Sequence, residues 1–104
     1  VPRLMSNAAS GNIAIQFGAR GPCFAVSSAC ASGNHTIGEA FWNIASNRSD
    51  VVITGGSEAA LTPIGLGSFC AARSLSLRND NPPLASRPFD RDRDGFVLTG
   101  SGGL

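Results

Sequence analysis

Residues 23–56 read CFAVSSACASGNHTIGEAFWNIASNRSDVVITGG and decide the fold class. The apolar run at 23–28 predicts a short strand, and apolar side chains at every third or fourth position of 30–47 predict a helix. The run at 51–54 predicts a second, buried strand that ends at two glycines. A strand, a helix and a strand in this order form a βαβ unit, so the two strands should be parallel. The sequence therefore predicts an α/β fold.

The residues on either side of this unit add two helices and a polar last third. Residues 4–18 predict a short helix that ends near its final glycine, and Pro63 predicts the start of a helix that continues to Leu75. Turn-forming residues at 79–83 predict a loop. The apolar run at 96–98 predicts a strand that leads into glycines.

Composition and charge exclude several classes of protein. Of the 104 residues 42% are hydrophobic, which permits a packed core, and the formal net charge of +1 offers no surface for a polyanion. Nucleic acid is therefore not an expected partner. No apolar run reaches the about eighteen residues that a membrane span needs, and no signal peptide is visible. The chain starts without Met and stops inside a glycine-rich stretch, so we expect an internal piece of a longer protein.

Neither a metal site nor a disulfide is expected. The three cysteines, Cys23, Cys30 and Cys70, have no framework spacing and no CxxC pair, so reduced thiols in a cytosol-like compartment are the better interpretation. The stretch DRDRDG at 90–95 resembles the opening of a calcium loop, but a leucine and a serine follow where the ninth and twelfth ligands should stand. Its alternating Arg and Asp residues are expected to pair with one another or with neighbouring segments.

Cys30 lies where the first predicted strand turns into the long helix. Backbone N–H groups at the start of a helix have no intrahelical partner, so they stabilise a thiolate and can receive an oxyanion. Small neighbours leave room for a substrate. The position therefore predicts a nucleophile on a sharp strand-to-helix turn. A buried structural cysteine is the alternative that the residues alone leave open.

The single histidine, His35, is five residues from Cys30 and therefore about 140° around the predicted helix. It cannot readily reach the thiol, so we interpret it as a packed or hydrogen-bonded structural histidine. If Cys30 is catalytic, its histidine partners lie outside these 104 residues.

The motifs around and after Cys30 resemble those of β-ketoacyl synthases. The matching segments are GP at 21–22, VSSACASG at 26–33 followed by His35, Ile37 and Gly38, GGSE at 55–58, FCAARSLS at 69–76, RND at 78–80, SRPFD at 86–90 and RDGFVL at 93–98. They come in the family order, and the resemblance covers nearly the whole chain.

This resemblance implies a thiolase-like layered fold of two similar α/β halves, with residues 1–104 as an incomplete part of the N-terminal β-ketoacyl synthase domain. It implies an acyltransferase of fatty-acid biosynthesis, in which a cysteine takes an acyl chain from the phosphopantetheine arm of acyl carrier protein. A malonyl-carrier protein then loses CO2 and attacks the thioester in a Claisen condensation. Two histidines, a lysine and an acid come from the second half, so the isolated piece should be inactive. No separate cofactor is implied.

The resemblance also implies roles for particular residues. Cys30 is the catalytic nucleophile, and its backbone N–H forms half of the oxyanion hole. Phe69 matches a phenylalanine that lines the acyl pocket, and Arg73 matches a basic residue that meets the acidic carrier protein. The segment 24–27 resembles the strand that pairs across the family's homodimer interface. A cytoplasmic location is implied, with an organelle as the alternative.

The subtype stays open. Residues 69–80 resemble the second elongating type, whereas the glycine turn at 99–103 lacks an acidic residue and resembles the first. The alternative enzyme is a ketosynthase of a polyketide pathway, and the alternative of another class is a non-catalytic partner subunit that sets chain length. Such subunits replace the nucleophile, so the presence of Cys30 argues against the last.

Overall fold

The computed structural model describes residues 5–103, and side chains for residues 5–100. These residues divide into two compact units. The first holds the described residues up to Ser57 together with Gly102 and Gly103, and the second holds Glu58–Ser101. Each unit is described by itself below.

Two helices form the first unit, α1 at Ala8–Phe17 and α2 at Ser32–Ala45. Both were predicted, and both end where a residue adopts the left-handed conformation, Gly18 at φ 65° and Asn47 at φ 56°. The N–H of this left-handed residue and that of the residue after it donate to carbonyls of the last turn, as in Ala19 to the carbonyl of Ala14 at 2.9 Å. This arrangement is the Schellman motif, which satisfies the last carbonyls of a helix.

The third helix, α3 at Pro63–Ala71, belongs to the second unit. It begins as predicted, with proline in the first turn and the Thr62 hydroxyl accepting the N–H of Gly65 at 3.0 Å. It ends four residues before the predicted Leu75 because Arg73 has φ 51° and starts another Schellman motif.

Two predicted strands are not formed. Residues 22–27 and 51–55 have no regular secondary structure, and the one sheet in the described chain pairs β1 at Gly56–Glu58 with β2 at Ser101–Gly103. The predicted parallel pairing of 23–28 with 51–54 is therefore wrong for this chain. A parallel strand is held by its neighbours' backbone groups, and neither segment finds such a neighbour among the residues described.

In the polar last third the predicted loop is present, but the predicted strand is not formed. The loop at 79–83 runs into a single 3-10 turn at Pro82–Leu84. The strand predicted at 96–98 is reduced to one parallel bridge, between Phe96 and Leu75.

No helix of residues 5–103 is long and apolar enough to cross a membrane.

The described residues bury almost no core of their own. Only Ala40 and Ala85 are buried among residues 5–100. The chain exposes 8570 Å². A folded protein of 10.6 kDa exposes about 5,500 Å², and two independent domains of half that mass about 6,600 Å². Many large apolar side chains lie on this surface; Ile15, Trp42 and Ile64, for example, are each more than half exposed.

Candidate functional site

Cys30 is exposed on a tight turn immediately before α2. The turn is closed by two backbone hydrogen bonds of 3.1 Å, from the N–H of Ala31 to the carbonyl of Ser28 and from the N–H of Ser32 to the carbonyl of Ala29. The predicted position at the entry to the helix is thus confirmed, with Ser32 as the first helical residue. The Cys30 residue is exposed, but so are Cys23 and Cys70, so the choice between a nucleophile and a buried structural cysteine stays a prediction.

The residue before the cysteine carries backbone strain. Ala29 has φ 49°, in the left-handed region that residues with a Cβ rarely occupy. Non-glycine residues in this region cluster at functional turns, where the surrounding structure holds them. The same kind of sharp turn presents the nucleophile of a hydrolase elbow. Ala29 therefore turns the chain so that Cys30 stands at the end of the incoming segment.

Three polar side chains hold this turn. The Ser32 hydroxyl accepts the N–H of Ser28 at 2.8 Å and donates to the carbonyl of Ala29 at 2.7 Å. His35 Nδ1 lies 2.8 Å from the hydroxyl of Ser28. The prediction of a hydrogen-bonded structural histidine is confirmed, because the ring of His35 is engaged by Ser28. His35 thus contacts the turn that carries Cys30 through the hydroxyl of Ser28.

The first turn of α2 also packs closely on the segment before β1. The hydroxyl of Thr36 donates to the carbonyl of Gly55 at 3.1 Å. A Cβ added at Gly56 would lie 3.6 Å from the Cα of Gly33. The small residues that flank the cysteine and end the predicted strand therefore meet each other. They fix the start of the helix that follows the candidate nucleophile.

Some of the backbone N–H groups next to Cys30 already donate hydrogen bonds within the turn. Those of Ala31 and Ser32 close the turn, so they are not available to an oxyanion in this conformation. The sequence predicted that the first helical N–H groups receive the oxyanion. The donors that remain for this role are the N–H of Cys30 itself and those of later residues such as Gly33.

Phe69 and Arg73, the other two predicted site residues, lie at the end of α3 in the second unit. Phe69 is half-buried and meets Phe96 edge-to-face, with ring centroids 5.2 Å apart and planes at 84°. Arg73 is exposed at the left-handed position that ends the helix. It forms no ion pair with the residues that the structure describes. Phe69 and Arg73 therefore lie in the same unit, whereas Cys30 belongs to the first unit.

The predicted pairing of Arg and Asp in the last third is confirmed. Ion pairs join Arg91 to Asp92 at 3.2 Å, Arg87 to Asp90 at 2.9 Å, and Arg78 to Asp94 at 3.4 Å. Hydrogen bonds from the Asp92 N–H and the Arg87 guanidinium hold the pKa of the Asp90 carboxyl below its ordinary value.

Sequence reasoning missed the cluster around Asp94. Its carboxylate accepts the hydroxyl of Ser76 at 2.7 Å and the N–H of Leu77 at 3.0 Å, besides the Arg78 guanidinium. The Ser76 and Leu77 hydrogen bonds, in that order, lower the pKa of the Asp94 carboxyl. The partners are sixteen to eighteen residues away, so no local spacing signals the contact.

The structure adds two observations on ligands. No group of three or more His, Cys, Asp or Glu side chains that could hold a metal ion occurs among the described residues. The second unit contains an apolar pocket of about 220 Å³. Its lining residues include Leu61, Leu66, Leu75, Phe96 and Leu98.

Comparison with known proteins identifies the family to which the chain is similar. The family described as "Beta-ketoacyl synthase, N-terminal domain" matches residues 1–104. Over those residues the chain is 49% identical to 3-oxoacyl-[acyl-carrier-protein] synthase 2 of Vibrio cholerae, and covers 25% of that protein. It is 45% identical to the chloroplastic 3-oxoacyl-[acyl-carrier-protein] synthase I of Arabidopsis thaliana, of which it covers 22%.

Solved structures agree. A β-ketoacyl synthase from Burkholderia phymatum matches 92% of the chain with a TM-score of 0.81 and 36% identity, over 23% of its own length. A type II polyketide ketosynthase, solved in complex with its acyl-carrier protein, matches with a TM-score of 0.85 and 38% identity, over 92% of this chain and 24% of its own.

The fold is thus α/β and thiolase-like, as predicted. The chain belongs to the β-ketoacyl synthase family. It spans about a quarter of the length of the curated relatives it matches.

Proposed function

We propose that this chain is the nucleophile-bearing segment of a longer β-ketoacyl synthase, an acyltransferase of fatty-acid biosynthesis. The observation that carries the proposal is the exposed Cys30 on a strained, side-chain-braced turn at the entry to α2, in a chain of this family. The named relatives, 3-oxoacyl-[acyl-carrier-protein] synthases of bacteria and chloroplasts, support it.

The proposed chemistry has two stages. The Cys30 thiolate attacks the carbonyl of an acyl thioester on the phosphopantetheine arm of acyl carrier protein, and the carrier thiol leaves with a proton. A malonyl thioester then loses CO2, and its carbanion attacks the acyl-cysteine carbonyl. The new carbon–carbon bond forms as the Cys30 thiolate departs. Histidines and a lysine from outside this chain assist, and no resident cofactor takes part.

Two residues of the second unit are proposed to bind substrate. Phe69 lines the acyl pocket, which its half-buried ring against Phe96 supports. Arg73 meets the acidic carrier protein. Its exposed guanidinium, with no ion pair in the described part of the chain, leaves its charge available for such a partner. The solved complex of a similar ketosynthase with its acyl-carrier protein supports this role.

We extend the proposal to assembly and location. A homodimer forms through the segment 24–27, which carries no hydrogen-bonded strand neighbour among the residues described and exposes half of Phe24. The pathway operates in the cytoplasm or in an organelle, in line with the bacterial and chloroplastic relatives.

A polyketide ketosynthase is the second candidate, and the TM-score of 0.85 with such an enzyme favours it. A fatty-acid synthase elongates saturated acyl chains, whereas a polyketide enzyme accepts a β-ketoacyl chain for the next round. The third possibility, a non-catalytic partner subunit that sets chain length, conflicts with the presence of Cys30.

The deciding experiment uses the full-length protein. It is incubated with malonyl-carrier protein and either a saturated or a β-ketoacyl-carrier protein, and the products are weighed by mass spectrometry. We expect a product longer by two carbons from the saturated acyl chain, and none from Cys30→Ala. Elongation of the β-ketoacyl chain alone would establish the second candidate, and no product from either would refute condensation.

A further inference from the structure

The carboxylate of Asp94 ties together two segments that are far apart in the sequence. It accepts the hydroxyl of Ser76 at 2.7 Å, the N–H of Leu77 at 3.0 Å and the Nε–H of Arg78 at 3.4 Å. The guanidinium of Arg78 also donates to the carbonyl of Asp92 at 2.6 Å. We call this set of bonds the Asp94 clasp. It holds residues 76–78 beside residues 92–94.

The backbones on the other side of the clasp are equally close. The N–H of Ser76 donates to the carbonyl of Phe96 at 2.9 Å, and the N–H of Phe96 donates to the carbonyl of Ser74 at 3.0 Å. Between them, a Cβ at Gly95 would lie 2.4 Å from the carbonyl carbon of Leu75. Only glycine fits there, so Asp94 and Phe96 have a fixed spacing against the facing segment.

The same segment is tied to the end of α3. The N–H and the hydroxyl of Ser74 both donate to the carbonyl of Phe69, at 3.2 and 3.1 Å. Phe69 and Phe96 are therefore attached to opposite ends of one bonded network, and their edge-to-face contact at 5.2 Å depends on its register. A shift of 92–96 along 74–78 would separate the two rings.

We propose that Asp94 is a positioning residue that sets acyl-chain selectivity, because the Asp94 clasp fixes Phe96 against the pocket residue Phe69. This inference rests on the proposed function, in which Phe69 lines the acyl pocket. A rigid pocket wall discriminates between short and long acyl chains, whereas a mobile pocket wall admits both. Asp94 touches no substrate in this scheme and acts only through Phe96.

The test compares Asp94→Asn with Asp92→Asn in the full-length enzyme. Both remove one negative charge. The Asp92 carboxylate pairs with the exposed Arg91, and its backbone carbonyl still serves the clasp after substitution. The readout is the ratio of kcat/KM for a hexanoyl- and a tetradecanoyl-carrier protein. We expect Asp94→Asn to bring this ratio about threefold or more closer to one, and Asp92→Asn to leave it unchanged.

A double-mutant cycle separates positioning from simple destabilisation. If Asp94 acts through Phe96, then Asp94→Asn added to Phe96→Leu changes the ratio no further than Phe96→Leu alone. Additive changes, or an equal loss on both substrates that follows the melting temperature, would overturn the inference while leaving the proposed function standing. A wild-type enzyme inactive on both substrates would instead count against the proposed function. Ser76→Ala, which removes one bond of the clasp, carries the same test if Asp94→Asn does not fold.

Discussion

The hydroxyl of Ser32 donates to the carbonyl of Ala29 at 2.7 Å, across the turn that presents Cys30. Ala29 has φ 49°, a conformation that costs a residue with a Cβ roughly 1–2 kcal/mol relative to glycine. The hydrogen bonds of Ser32 offset that cost. The candidate nucleophile is therefore held by a local arrangement that can be perturbed one residue at a time.

Substitutions at position 29 should separate the strain from the turn. Ala29→Gly keeps the left-handed conformation without its cost and should raise stability by up to about 1 kcal/mol. Ala29→Val, with a β-branched side chain, should lower it by about 1–3 kcal/mol and slow acylation of Cys30. Urea unfolding and acylation rates of the full-length protein measure both. Equal behaviour of the two variants would contradict the strain that we assign to Ala29.

Acylation should occur at Cys30 alone. The cysteines Cys23, Cys30 and Cys70 are all exposed, so accessibility does not distinguish them and only their surroundings can. After a short pulse with acyl-carrier protein, peptide mapping of the full-length protein should find the acyl mass on the Cys30 peptide. Cys30→Ala should lose acylation and keep its fold, with Cys70→Ala as the matched control. Acyl mass on the Cys23 or the Cys70 peptide would refute the assignment of Cys30 as the nucleophile.

Reversing the charge of Arg73 should weaken use of the carrier protein. Arg73→Glu should raise KM for acyl-carrier protein by about tenfold or more, most strongly at low salt, since a steering charge is lost. Turnover of a small acyl-pantetheine thioester should change little. Arg91→Glu is the control, because Arg91 is another highly exposed arginine, paired only with its neighbour among the described residues. Equal losses on both substrates would show that Arg73 is structural.

Acid should weaken the Asp94 clasp. The pKa of the Asp94 carboxyl is lowered from its ordinary value of 3.8 by the Ser76 hydroxyl and the Leu77 N–H, so its ionised form contributes stability at neutral pH. That contribution is lost as the pH falls below the ordinary value and through the lowered one. The melting temperature of Asp94→Asn should thus lie below that of the unsubstituted full-length protein at pH about 7, and the difference should shrink as the pH falls below 3.8. A constant difference across this range would contradict the assignment.

The isolated 104 residues should neither condense substrates nor unfold cooperatively. Their accessible surface of 8570 Å² is far above the about 5,500 Å² of a folded protein of this mass. Calorimetry of the purified chain should show no sharp transition. A cooperative melt from a monomer, or product from acyl- and malonyl-carrier protein, would disprove this.

The ends of the helices show what the sequence could and could not predict. Glycine and asparagine adopt the left-handed conformation readily, so the ends of α1 and α2 at Gly18 and Asn47 were predicted closely. Arg73 adopts the same conformation at the end of α3. Arginine gives no such signal, and the predicted helix therefore ran on to Leu75.

The strands failed for a different reason. A helix bonds to itself, and its pattern is complete within one segment. A strand requires a partner, and residues 22–27 and 51–55 have none within the described chain. The position of Cys30 was predictable because it depends on the start of a helix. The Asp94 clasp was not, because its members meet only after the chain has folded.

The close approach of Gly95 to the backbone of Leu75 and Ser76 also limits which substitutions position 95 can accept. Any codon change that replaces this glycine adds a Cβ, which would lie 2.5 Å from the backbone nitrogen of Ser76. Backbone cannot yield as a flexible side chain does. A substitution at position 95 would therefore displace Asp94 and Phe96 together. Under the proposed role of Asp94, variants that alter acyl-chain selectivity should change these two neighbours and keep Gly95.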